Sequence, residues 1–546
     1  MTDRPQPVQV YLFPRPMLRT SRSLRRCSRK ISTIVPCLVL LLLSAVTAHA
    51  QMIDNTQAPN IAKGGINKSL EDEIGAGRGS LTTPNSSMCM ISHDPFRAVR
   101  RGRQLFQRKF TRMQGEGPNE GDGVGDINTN NAIGAGLADS CALCHGRPRG
   151  SAGVGGDVAT RPDSRDAPHL FGLGLREMLA DEITTDLRNI RNVGIVRALQ
   201  FHHPVTLSLT SKGIHYGFIT AQPNGSVDSS KVSGVDADLR VKPFFAEGSE
   251  FSIRRFIVGA LHNEMGMEAS SDPDLLMASA GGRVVTPSGM VLDGSLDKIS
   301  PPPAQDSQNG NEVDPAIVDH LEFYLLNYFK PGHGQQNDTT ERGREVFNRI
   351  GCSSCHVANL TVEHDRRVAD LETVYDPARG IFNNLFATAT SLVVTKDNGD
   401  GLPLMKLPAG KSFVVKDIFS DFKRHNLGPK FYERNWDGTL QRQFATRPLW
   451  GVGSTAPYGH DGRSVTLDDV ILRHGGESQR SRDAYAALPS RQSSALQAFL
   501  NSLLLFPPDD TASNLDPGDP TKANFPQYGH GSIKLTVLFN DPSDPE

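Results

Sequence analysis

The chain has 546 residues, 37% of them hydrophobic, and a formal net charge of −2, which suits a globular protein of two or more domains. The near-neutral total hides an asymmetry: the first 50 residues hold eight Lys+Arg and one Asp, leaving 50 basic and 59 acidic residues and a net charge of −9. That balance argues against a nucleic-acid partner and is compatible with a basic protein partner.

Arg19, Arg22, Arg25, Arg26, Arg29 and Lys30 precede an apolar run from Ile34 to Val46, and Ala48-His49-Ala50 follows. This is the pattern of an export signal cleaved after Ala50, with a run too short to span a membrane. Residues 1–50 are therefore expected to be a signal peptide, with Met1 or Met17 as the start. The mature protein would be periplasmic or secreted, with no stable membrane span. Cys27 and Cys37 leave with the leader, and Cys89 is left without a disulfide partner.

Asp94-Pro95 predicts a helix start, with Phe96, Val99, Leu105, Phe106 and Phe110 forming an apolar face. The Gly-rich stretch from Gln114 to Gly136 reads as a loop, in which the spacing of Asp122 and Asp126 does not match a calcium loop. Then comes Cys141-Ala142-Leu143-Cys144-His145, and a second C-x-x-C-H follows at Cys352-Ser353-Ser354-Cys355-His356. Two thiols one turn apart can form thioethers with haem vinyl groups, and the adjacent histidine can present a nitrogen to iron. A redox C-x-x-C or half of a zinc site are the alternatives, but neither motif has the companions that would close a zinc site. Two covalently bound c-type haems are therefore expected.

Between the motifs, Val205–Leu209 and Arg283–Thr286 alternate weakly and read as small strands within a long insertion from Arg147 to about Ser300. A helix is predicted from Pro315 to Phe329, with one apolar stripe, and a linker from Pro331 to Asp338. Arg101-Gly102-Arg103-Gln104-Leu105-Phe106-Gln107-Arg108 then recurs as Arg342-Gly343-Arg344-Glu345-Val346-Phe347-Asn348-Arg349. Each copy precedes a motif and each module is closed by a helix, the second from Ser490 to Phe506. The fold expected is mainly α, with two cytochrome c-like haem modules in tandem, long loop-rich insertions and minor β. Residues 51–332 and 333–508 would be the modules, and 509–546 a tail. Thr466-Leu467-Asp468-Asp469 predicts a capped helix with Leu467, Val470, Ile471 and His474 on one face. His474 is thus a candidate sixth ligand in the second module.

Leu449-Trp450-Gly451, Thr455-Ala456-Pro457-Tyr458-Gly459-His460-Asp461-Gly462-Arg463 and His474-Gly475-Gly476-Glu477 resemble the signature region of bacterial di-haem oxidoreductases. That superfamily includes di-haem cytochrome c peroxidases and a peroxidase-like group also labelled thiol oxidoreductases. Leu173-Gly174-Leu175-Arg176-Glu177 and Ala260-Leu261-His262-Asn263-Glu264-Met265-Gly266 look like weaker landmarks. The resemblance implies that the first haem, on Cys141, Cys144 and His145, is reactive toward hydrogen peroxide. The second, on Cys352, Cys355 and His356 with His474 opposite, would relay electrons from a donor such as a small cytochrome c or cupredoxin. It also implies Glu177 as distal acid/base, His262 as a distal neighbour, His460 near a propionate or its own loop, and calcium at a junction that includes Thr446. Some relatives place a tryptophan between the haems, whereas this chain has only Trp436 and Trp450, leaving Trp450 or direct approach of the haems as the route. A non-catalytic electron carrier, and a dioxygenase resembling the rubber oxygenases and using O2, remain open alternatives, as does oligomeric state.

Overall fold

In the computed structural model, the residues described are 69–117, 136–147, 151–158, 162–163, 165–304, 312–378, 385–435 and 437–505. The expected leader, Asp122, Asp126, Trp436 and the tail lie outside them. All the described residues fall in one compact unit that begins at Gln51. Among the described residues, no helix is long and apolar enough to cross a membrane.

Helix α1 spans Pro95–Gln107, and the Asp94 side chain accepts the Arg97 N–H as its cap. The first motif is a single turn, Cys141–His145. Helix α2, Leu173–Phe201, packs against an antiparallel sheet of β1 (Val205–Ser211), β2 (Ile214–Ala221) and β3 (Val227–Asp228). Helix α3 spans Ile253–Ala260 and runs into a π-turn, Leu261–Met265. Helix α4 spans Pro315–Asn327, followed by β4 (Gly332–His333) and α5 (Asp338–Arg349). A hairpin of β5 (Ala369–Tyr375) and β6 (Leu385–Ser391) comes next, then α6 (Leu467–Arg473), α7 (Ser490–Asn501) and β7 (Leu503–Leu504).

The repeat has a packing cause. A Cβ on Gly102 would meet the His320 carbonyl oxygen of α4 at 2.1 Å, and one on Gly343 would meet the Ala495 oxygen of α7 at 2.0 Å. Only glycine permits backbones to approach so closely. The glycine of each copy thus seats α1 on α4 and α5 on α7. Leu105 and Phe106, with Val346 and Phe347 as counterparts, are buried behind that contact.

Three expectations need correction. First, the sheet content exceeds minor β: among the described residues there are eight two-stranded antiparallel sheets and one of three strands. Much of this lies between residues 360 and 445, where β5 alternates buried and half-buried positions. Second, α4 is buried all round rather than along one stripe. Its Asp319 and Glu322 are matched by Arg254, at 2.9 and 2.8 Å, so polar residues can enter the core. Third, the linker contains structure, because Gly332 and His333 pair with Leu504 and Leu503 and Asn337 caps α5. This strand flanks the expected module boundary and ties it to the chain just beyond α7.

Candidate haem-binding site

Both C-x-x-C-H motifs open onto one cavity of about 820 Å³. Phe106 and Phe347, equivalent residues of the repeat, stand on its walls near the first and second motif. The duplicated segment therefore supplies both a helix contact and a pocket wall.

The histidines share one arrangement. His145 Nδ1 donates to the Pro168 carbonyl at 2.8 Å, His356 Nδ1 to the Phe419 carbonyl at 3.1 Å, and His474 Nδ1 to the Val470 carbonyl at 2.6 Å. Fixing Nδ1–H in this way leaves Nε2 as the lone-pair nitrogen and orients the ring, as ligating histidines require. Burial pushes His145 and His356 down to about 4 and lowers His474 as well, so the neutral, ligating form is favoured. Thr466 caps α6 by accepting the Asp469 N–H, and His474 lies at the C-cap beyond Arg473. It lines the same cavity as His356.

Burial pushes Cys141 and Cys352 up to about 12 and Cys144 to about 11, so these thiols stay protonated, unlike the low-pKa thiols of a redox site. The motif cysteines are not disulfide-bonded. Two cationic groups line the cavity. Arg447 makes no ion pair among the described residues, and burial pulls it down to about 10; burial also holds Arg176 well below the ordinary arginine range. Both line the cavity, where an anionic group such as a haem propionate would neutralise them.

The loop bearing Phe419 was not legible in the sequence. Asp417, Phe419 and Phe422 all have positive φ, at 54°, 53° and 57°, an uncommon conformation for residues with a Cβ. The bend presents the Phe419 carbonyl to His356 and places Asp421 against His425. His425 Nε2 meets Asp421 Oδ2 and Nδ1 meets Glu477 Oε2, each at 2.8 Å. Burial opposes charge on this imidazole, but hydrogen bonds to Asp421 and Cys355 raise it to about 11. Among the described residues, Cys355, Asp421 and His425 are also the one group with metal-binding spacing. That group includes a motif cysteine and so belongs to the second pocket.

Of the other expected residues, Glu177 is 1% exposed and off the cavity wall. Its Oε1 accepts the Ile253 N–H at 2.6 Å, and its Oε2 pairs with Arg366 at 2.5 Å, an arrangement that anchors the start of α3. His262 also lies off the wall, with Nδ1 3.1 Å from Glu268 Oε1. Its neighbours Asn263 and Glu264 face the cavity instead. They sit on the π-turn that follows α3, and such turns are frequent at functional sites. The segment was singled out in the sequence, but a π-turn changes which of its residues face inward.

His460 stacks on Phe444 with centroids 4.1 Å apart and lines the cavity. Thr446 also lines it, and its hydroxyl donates to the Lys423 carbonyl at 3.3 Å. Trp450 is buried on the same wall; its carbonyl accepts from His169 Nε2 at 2.7 Å. Gly172 makes room for it: φ is +70°, and a Cβ would lie 2.6 Å from the indole ring.

Residues 360–503 match the family described as "Di-haem oxidoreductase, putative peroxidase". Residues 360–503, the segment that carries Trp450 and His474, are thus similar to the di-haem oxidoreductases, which bears out the resemblance seen in the sequence. Among solved structures, it is similar to a MauG-like protein associated with microbial copper homeostasis, at 14% identity and a TM-score of 0.29, covering 80% of this chain and 94% of the other. No curated protein matches.

Proposed function

We propose that the protein is an exported di-haem c-type oxidoreductase that reduces hydrogen peroxide, or uses it to oxidise a substrate, at the first motif, with electrons supplied through the second. The observation that carries this reading is the inequality of the two motifs within one cavity. His356 shares its pocket with His474, whose Nδ1 is already committed to Val470, whereas the walls contributed by α3 and the π-turn bring Asn263 and Glu264 rather than a histidine.

Cys141 and Cys144 would hold one haem as thioethers with His145 as its ligand. Cys352 and Cys355 would hold the other, with His356 and His474 as its ligands. Bound haem supplies peroxide chemistry and one-electron storage. The chain supplies the rest. Glu264 is the acid/base that moves the peroxide proton, in place of Glu177, and Asn263 offers hydrogen bonds to the oxygen atoms. Arg176 and Arg447, on the cavity wall, would hold propionates, and Trp450, on the same wall, would pass electrons between the haems.

Optical and electron paramagnetic resonance spectra of the holoprotein, before and after peroxide, test this reading. One high-spin and one low-spin centre are expected, with the high-spin signal changing on peroxide addition. Two low-spin centres that ignore peroxide would indicate a plain electron carrier and overturn the proposal.

A further inference from the structure

Although the chain as a whole is acidic, the rim where the cavity opens beside the second motif is basic. Gly351 and Ser354 line the cavity next to Cys352, and Ser354 is exposed. Arg349, two residues before Gly351, is exposed, as are Arg480 and Arg491. Arg349 donates to Gln492 Oε1 at 2.6 Å, which brings it beside Arg491 at the start of α7. A Cβ on Gly351 would lie 3.1 Å from Ser481 Oγ, adjacent to Arg480. Two acidic residues nearby are already paired: exposed Asp483 with Arg482 at 2.7 Å, and Glu477, on the cavity wall, with His425 at 2.8 Å. Glu345, exposed one turn before Arg349 on α5, is the acid left on this rim. Arg349, Arg480 and Arg491 make no ion pairs among the described residues.

A cluster of guanidinium groups around an opening concentrates field there and steers an oppositely charged partner, even when the molecule carries net negative charge. Local charge thus reverses the expectation of a basic partner drawn from composition.

We propose that this rim is the docking surface of a redox protein with an acidic face, which delivers electrons at the second motif. The inference rests on the relay reading above. In the docked pair, the partner's metal centre would give up one electron and be oxidised, and the haem that His356 and His474 would hold would take up that electron; no proton or group is transferred.

The test is stopped-flow reduction of the holoprotein by a reduced acidic cupredoxin and, separately, by a reduced basic cytochrome c. The acidic donor is expected to act about tenfold faster at low ionic strength than at about 0.3 M salt. The R349E/R480E/R491E variant is expected to lose that advantage while its reduction by dithionite is unchanged. Nuclear magnetic resonance titration of the oxidised cupredoxin measures docking apart from electron transfer. Reduction that is insensitive to the three arginines, or a basic donor that is faster on the unaltered protein at low salt, would overturn the surface. Arginine-dependent docking without reduction of the second haem would instead overturn the relay reading.

Discussion

In the proposed function, single side chains distinguish a relay half of the cavity from a reactive half. His474 is held at the end of α6 by its own backbone, so His474→Ala should leave the fold in place and convert the second haem from low-spin to high-spin. An unchanged low-spin spectrum would sink that ligand assignment. Glu264→Gln should lower peroxide turnover by about 10²-fold, the usual scale for a lost proton donor. Glu177→Gln should instead lower thermal stability, because Glu177 joins Ile253 and Arg366 away from the cavity. Rate and melting measurements on the two variants separate these roles. Glu322 offers a pH test: burial pushes it up to about 7 despite Arg254. Its folded pKa is raised, so its favourable contribution is fully present below about pH 4.3 and is lost as pH rises through 7, on the order of 3 kcal/mol. Melting curves of Glu322→Gln should show a shallower loss of stability across that interval than those of the parent chain.

At the scale of elements, the R-G-R-x-φ-F repeat, with φ an apolar residue, is a device for crossing two helices at a glycine. Gly102→Ala and Gly343→Ala should each destabilise by about 1–3 kcal/mol or more, because backbone oxygens of the partner helix stand where the methyl would go. Chemical denaturation would measure this, and a loss below about 0.5 kcal/mol at both sites would refute the crossing. The repeat was legible because the contact demands glycine and repeats its flanking apolar residues. The caps at Asp94 and Thr466 were legible for a similar reason, since a short polar side chain before an apolar run satisfies orphan N–H groups locally. The hairpins of residues 360–445 and the positive-φ loop around Phe419 were not, because nonlocal pairing and strain leave little trace in nearby residues.

At the scale of the molecule, the two halves are joined by shared parts. The strand Gly332–His333 between them pairs with Leu503–Leu504 beyond α7. Trp450, from the second half of the chain, packs on Gly172 at the start of α2. If electrons pass through the indole, Trp450→Phe should slow electron equilibration between the haems by about tenfold or more after rapid mixing with peroxide, while both haems keep their resting spectra. An unaltered rate would place the route elsewhere. The only tryptophan among the described residues therefore reaches the cavity from the C-terminal half.

The sequence by itself determined the two C-x-x-C-H motifs, the repeat, the cap of the helix before His474 and the similarity of residues 360–503 to a family, because each rests on residues near one another in the chain. Tertiary structure decided what those parts face. It joined both motifs in one cavity, turned Glu177 and His262 away while turning Asn263 and Glu264 inward, and gathered arginines from separate segments beside the second motif. Direction and proximity across hundreds of residues depend on helix crossings, a π-turn and a strained loop, and these are fixed only when the whole chain packs.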